Sequence, residues 1–157
     1  MDVTILGIDL AKNVFQLHGI NRHGKVSLKK RLTRAAFIQF IAKLPTCLIG
    51  IERCWGANYW ARTLRAYGHE VRLMSPQFVK PYVKTNKNDY NDAEAICEAV
   101  QRPTMRFVSP KTIGQQDVQN LHRVRQRLIS SRTALVNQIR GLLAEYGIVL
   151  AKQVGAV

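Results

Sequence analysis

The stretch that most constrains this chain is Thr4–Lys12, TILGIDLAK. Ile5, Leu6, Ile8 and Leu10 form a near-continuous apolar run, the pattern of a short strand buried on both faces. Asp9 interrupts it. A carboxylate at the edge of a core is costly unless its charge is compensated. It either caps the turn after the strand or meets other carboxylates around a cation. The segment Cys47–Glu52, CLIGIE, repeats the theme: an apolar strand that ends on an acid.

The charge balance narrows the class. The 157 residues are 46% hydrophobic, enough for a real core and against general disorder. Lys+Arg number 24 against 10 Asp+Glu, a net charge of +14. That excess points to a polyanionic partner, most simply nucleic acid. No single amphipathic segment collects the charge, which argues against a membrane surface. No apolar run approaches the roughly 20 residues of a membrane span. Asp2 and the lack of a basic n-region argue against a secretory signal. Cys47, Cys54 and Cys97 are odd in number and lack metal-type spacing, so they are expected to be reduced thiols of a cytoplasmic protein.

The first strand is followed by Val14–Ile20, whose alternation predicts a half-buried strand. Asn21–Gly24 is a turn signal, and Lys25–Leu32 returns as a third strand, so an antiparallel meander is expected. His18 and His23 read as a strand-face residue and a turn residue rather than metal ligands. Thr33 is a candidate N-cap for a helix over Arg34–Lys43, with Phe37, Ile38, Phe40 and Ile41 as its stripe. After the Cys47–Glu52 strand, a helix over Ala57–Tyr67 turns Trp60 and Leu64 inward and stops at Gly68. Glu70–Met74 is another strand, so a parallel α/β arrangement with right-handed crossovers is expected here. A short helical segment over Pro76–Val83 leads to a basic loop, Lys84–Asn88. Asp89–Gln101 reads as a helix with acids in its first turn, where the macrodipole favours them. Met105–Val108 reads as a last short strand.

From Thr112 to Tyr146 one long helix is expected, about 50 Å at 1.5 Å per residue. Leu121, Val124, Leu128, Leu135, Ile139 and Leu142 form its apolar stripe. A helix of that length exceeds what a body this small covers, so part of it is expected to pack on another chain or domain. The expected organisation is therefore 1–110 as an α/β domain and 111–157 as a helical, coiled-coil-like segment. Arg123 and Arg127 on this helix, with Lys84 and Lys87 in the basic loop, are candidate phosphate contacts.

Four acids stand out by position. Asp9 and Glu52 each end an apolar strand, while Asp89 and Asp92 share one face and one turn of a helix. Converging carboxylates repel one another unless cations neutralise them. Oxygen ligands without a Cys/His set favour Mg²⁺ or Mn²⁺ over zinc. Two such ions about 3.5–4 Å apart suit phosphodiester cleavage. For Asp89 and Asp92 the competing account is a first-turn pair that only stabilises the helix.

A strand-borne Asp, a meander, a second strand-borne acid and a later acidic helix resemble the layout of the RNase H-like, RuvC-like nuclease fold. The stretches GIDLAKN, GIERCWGANYWA, HEVRLMSPQFVKPYVKTNKNDYNDAEAICEA and RPTMRFV go further. They resemble the N-terminal domain of the DEDD insertion-sequence transposases, relatives of the Piv invertase described as RNA-guided recombinases. The resemblance implies a mixed α/β sheet flanked by helices, with a long C-terminal helix. It implies a DEDD set of Asp9, Glu52, Asp89 and Asp92, both catalytic and metal-binding, with magnesium or manganese as cofactor. It also implies DNA and a guide RNA as partners, and a homo-oligomer. Members of that family continue into a second domain bearing a catalytic serine. This sequence stops at Val157, and Ser130 and Ser131 do not match the serine motif, so complete recombination by these residues alone is not expected. Two other readings compete. One is a nucleic-acid-binding module that keeps the fold but cuts nothing. The other is an actin-like ATPase, disfavoured because no Gly/Thr-rich phosphate loop follows Asp9.

Overall fold

The computed structural model describes residues 2–83 and 89–151, and the chain forms two compact units, Met1–Pro110 and Lys111–Val157. Strands β1 (Ile5–Leu10), β2 (Val14–Ile20) and β3 (Val26–Thr33) make the antiparallel meander expected from the turn residues. Helix α1 (Arg34–Ile41) follows, and the Thr33 hydroxyl accepts from Ala36 N–H at its start. Strand β4 (Leu48–Glu52), helix α2 (Ala57–Ala66) and strand β5 (Glu70–Met74) come next. Gly68, at φ +90°, ends the α2 segment. Helix α3 (Pro76–Val79) continues into a 3-10 turn at Lys80–Tyr82, so the expected single segment is divided. Helix α4 spans Asp89–Ala99, and strand β6 is only Phe107–Val108.

The six strands lie in the order β3-β2-β1-β4-β5-β6. β1, β4 and β5 are parallel, while β6 runs antiparallel to β5. A meander followed by parallel strands, with helices on both faces, is the mixed RNase H-like, RuvC-like arrangement.

Strand alternation divides the core in two. Leu6, Ile8, Phe15, Leu17, Ile49 and Ile51 point to the α1/α2 side, where Phe37 and Trp60 meet them. Phe15, Phe37 and Trp60 pack edge to face with centroids 4.8–5.2 Å apart, the geometry the ring quadrupoles favour. On the other face Ile96 and Ala99 of α4, with Val100 just after it, pack with Met74 and Val79, and Ile5 and Leu48 lie against them. This second layer corrects the expectation for β2. The strand is buried along nearly its whole length rather than half-buried, and His18, expected on a strand face, is only 4% exposed. Its polar positions lie under α4 instead of in water.

In the second unit α5 (Ile113–Ala144) is one uninterrupted helix. Thr112 and Gln115 close a reciprocal capping box at its start, satisfying two otherwise unpaired donors. Leu121, Val124, Leu128, Leu135 and Leu142 on it are each 57–71% exposed. Among the described residues, no helix is long and apolar enough to cross a membrane.

Candidate carboxylate site

The β1/β4 register runs in parallel from Ile5↔Leu48 to Ile8↔Ile51. Asp9 and Glu52 are the next residues on the two strands. They therefore stand side by side at the same end of adjacent parallel strands. The alternation that turns Ile8 and Ile51 into the α1/α2 core turns both acids the other way, toward α4.

Two glycines make that approach possible. Gly7 and Gly50 precede the acids by two residues, so they share the acids' face. A Cβ on Gly7 would stand 2.5 Å from Cys97 N and closer still to Ala93 O. A Cβ on Gly50 would meet the Val100 Cβ at 2.8 Å. Bare backbone at both positions lets α4 lie directly on the sheet. The chain then presents Gly-Ile-Asp on β1 and Gly-Ile-Glu on β4, each glycine seating the helix and each acid two residues further along the same face. Sequence reasoning singled out the acids and passed over these glycines, although the repeated Gly-x-acid spacing was there to be read.

Helix α4 brings Asp92 into the group. Burial, and next the negative charge of Asp92, raise the Glu52 pKa above the usual carboxylate value. Asp89 is one turn before Asp92 on the same helix, but its side chain lies outside the described residues, as do Lys84 and Lys87. Arg123 and Arg127 are exposed on α5, off the Leu121–Val124–Leu128 stripe. They belong to the second unit.

The loop after β4 closes the group from above. Arg53 N–H donates to Met74 O at 2.7 Å, tying the end of β4 to the end of β5. The Cys54 thiol donates to Leu10 O at 3.8 Å, reaching across to β1. Although much of the Cys54 residue surface is exposed, its sulfur is desolvated. Burial first, then Asp9 and Glu52, push its pKa up to about 11. Without a bound cation it is a neutral thiol at ordinary pH. Cys47, Cys54 and Cys97 are all free.

Among the described residues, no three acid, histidine or cysteine side chains are gathered closely enough to hold an ion by themselves. The donor chemistry nevertheless fits a hard divalent cation. The groups are carboxylates, and the negative charge of Asp92 adds to burial in raising the proton affinity of Glu52.

The Glu52 shift has a defined pH signature. A carboxyl with a raised folded-state pKa binds its proton more tightly folded than unfolded. Its stabilising effect is complete below the ordinary carboxylate pKa and is lost as pH rises toward the raised value. Urea denaturation between about pH 4 and 7 is expected to show stability falling with pH more steeply in the parent chain than in Glu52→Gln. Equal slopes would refute the coupling.

Comparison with known proteins places the chain. The DEDD transposase model of the IS110 type, described as "Transposase", matches residues 6–148. A "Probable family 20 transposase" of Pseudomonas aeruginosa is 54% identical over 98% of this chain and 45% of its own length. The transposase for insertion sequence element IS1111A of Coxiella burnetii is 54% identical over 96% of this chain and 42% of its own. That for IS1328 of Yersinia enterocolitica is 47% identical, over 99% and 47%. The chain thus spans less than half the length of these relatives. Among solved structures, RuvC of T. thermophilus in complex with a Holliday junction substrate aligns at a TM-score of 0.49 and 12% identity, covering 69% of this chain and 100% of that one. On the extent of the family match and the identity to these transposases, the chain belongs to the DEDD transposases of the IS110 type.

Proposed function

We propose that this chain is the carboxylate-bearing, nucleic-acid-processing part of a transposase, working in the cytoplasm on DNA phosphodiesters with a guide RNA. The observation that carries the reading is the common position of Asp9 and Glu52, on adjacent parallel strands and facing the acidic end of α4. Asp9 and Glu52 would hold Mg²⁺ or Mn²⁺ from the sheet, and Asp89 and Asp92 from the helix. When bound, such ions activate an attacking oxygen and stabilise the leaving one. The residues themselves supply fixed negative charge on rigid elements, and the Gly7 and Gly50 contacts keep the two elements in register. The +14 charge draws in the polyanion, with Lys84, Lys87, Arg123 and Arg127 as phosphate contacts. Strand exchange is expected to need the serine-bearing remainder of the longer relatives.

The test is direct. The 157-residue chain is expected to bind single- and double-stranded DNA and RNA in a strongly salt-dependent way, and to nick DNA with Mn²⁺ but not with EDTA. Binding without nicking would favour the non-catalytic binding module. Affinity indifferent to salt would overturn the electrostatic account.

The α5 stripe bears on assembly. Each of its large aliphatic side chains would gain roughly 1.5–3 kcal/mol on full burial, and their spacing suits a helix partner. The proposed arrangement is a homo-oligomer through α5. Light scattering at high micromolar concentration is expected to show a dimer or larger species, and Leu128→Glu to reduce it to monomer. A parent chain that is already monomeric would defeat this arrangement.

A further inference from the structure

One buried polar atom beside Asp9 is left without a partner among the described residues. Gln16 on β2 is only 5% exposed, and its Oε1 accepts no hydrogen bond from them. In the antiparallel β1/β2 register Gln16 is paired with Asp9, so the two side chains leave the sheet next to each other on the same face. It is the face α4 covers, because the flanking residues Phe15 and Leu17 take the opposite, α1/α2 side. A buried amide oxygen without a partner is unfavourable, and an apolar residue would serve a purely structural position better. The amide oxygen is, however, a hard and uncharged donor of the kind Mg²⁺ and Mn²⁺ accept. Beside several carboxylates a neutral donor has a specific advantage: it fills a coordination position without adding to their mutual repulsion.

We propose that Gln16 is a cation-binding residue, giving its Oε1 to the divalent ion held by Asp9 and its neighbours, directly or through one bound water. The inference rests on the carboxylate reading given under the proposed function. It makes Gln16 the β2 contribution to a site otherwise built from β1, β4 and α4.

The experiment compares the parent chain with Gln16→Met, which keeps length and removes the oxygen, and Gln16→Glu, which keeps an oxygen. Each is melted in EDTA and in Mn²⁺, and Mn²⁺ is titrated calorimetrically. Gln16→Met is expected to melt in EDTA at or above the parent temperature, because an unpartnered polar atom has gone. Its Mn²⁺ dissociation constant is expected to rise by about 10–100-fold, with the Mn²⁺-induced rise in melting temperature largely lost. Gln16→Glu is expected to melt lower in EDTA, through added repulsion, and to recover the Mn²⁺-induced rise. A Gln16→Met chain that melts lower in EDTA yet binds Mn²⁺ as the parent does would overturn the inference and leave the carboxylate site standing. A parent chain with no response to Mn²⁺ would overturn both.

Discussion

Gly7→Ala is expected to destabilise the α/β unit by about 3 kcal/mol or more, a large share of the roughly 5–15 kcal/mol that holds a domain folded. The new methyl group would sit 2.5 Å from Cys97 N and nearer to Ala93 O, both backbone atoms of α4. No rotamer change relieves that contact, so the helix must lift from the sheet. Gly50→Ala provides the control. Its methyl group would meet the Val100 side chain, at 2.8 Å from Cβ and 3.1 Å from each γ carbon, and the γ carbons can be removed. Gly50→Ala is therefore expected to cost about 1–2 kcal/mol, and Val100→Ala to restore part of the loss. Cys97→Ala is not expected to rescue Gly7→Ala, because the obstructing atoms are main chain. Urea denaturation of the two single and the two double variants measures all of this. A Gly7→Ala cost below about 1 kcal/mol would mean that α4 is not seated as the structure places it.

Glu52→Gln is expected to move stability and function in opposite directions. Removing the Glu52 charge ends its burial cost and its repulsion with Asp92, so the protein without metal is expected to be more stable at neutral pH. The same change removes an anionic ligand from β4. Changes to groups that merely orient a ligand already cost about 10–100-fold, so loss of a ligand is expected to lower Mn²⁺-dependent DNA cleavage by more than about 100-fold. A gain in stability coupled to a loss in activity is the signature of a residue retained for chemistry rather than folding. The measurement is a melt in EDTA beside a cleavage time course in Mn²⁺. Cleavage at the parent rate by Glu52→Gln would remove the four-acid set from the mechanism.

Local chemistry made much of this protein readable from its residues. Apolar runs with β-branched residues marked β1, β4 and β5, because a strand needs only its own sequence to declare its period. Thr33 and Gly68 marked helix ends, because caps are satisfied by neighbours a few residues away. The matched endings of TILGID and CLIGIE were enough to single out Asp9 and Glu52. What no local signal carried was the path of α4 back across the sheet. That crossing buries both faces of β2, so an alternating strand carries His18 and Gln16 inside rather than in water. It also makes bare glycine backbone necessary at residues 7 and 50. It sets Asp92 against Glu52, forty residues away in the chain. Each of these depends on which distant segments touch. Hydrophobic burial drives such contacts without directional preference, and only the packed structure decides which face of each strand receives them.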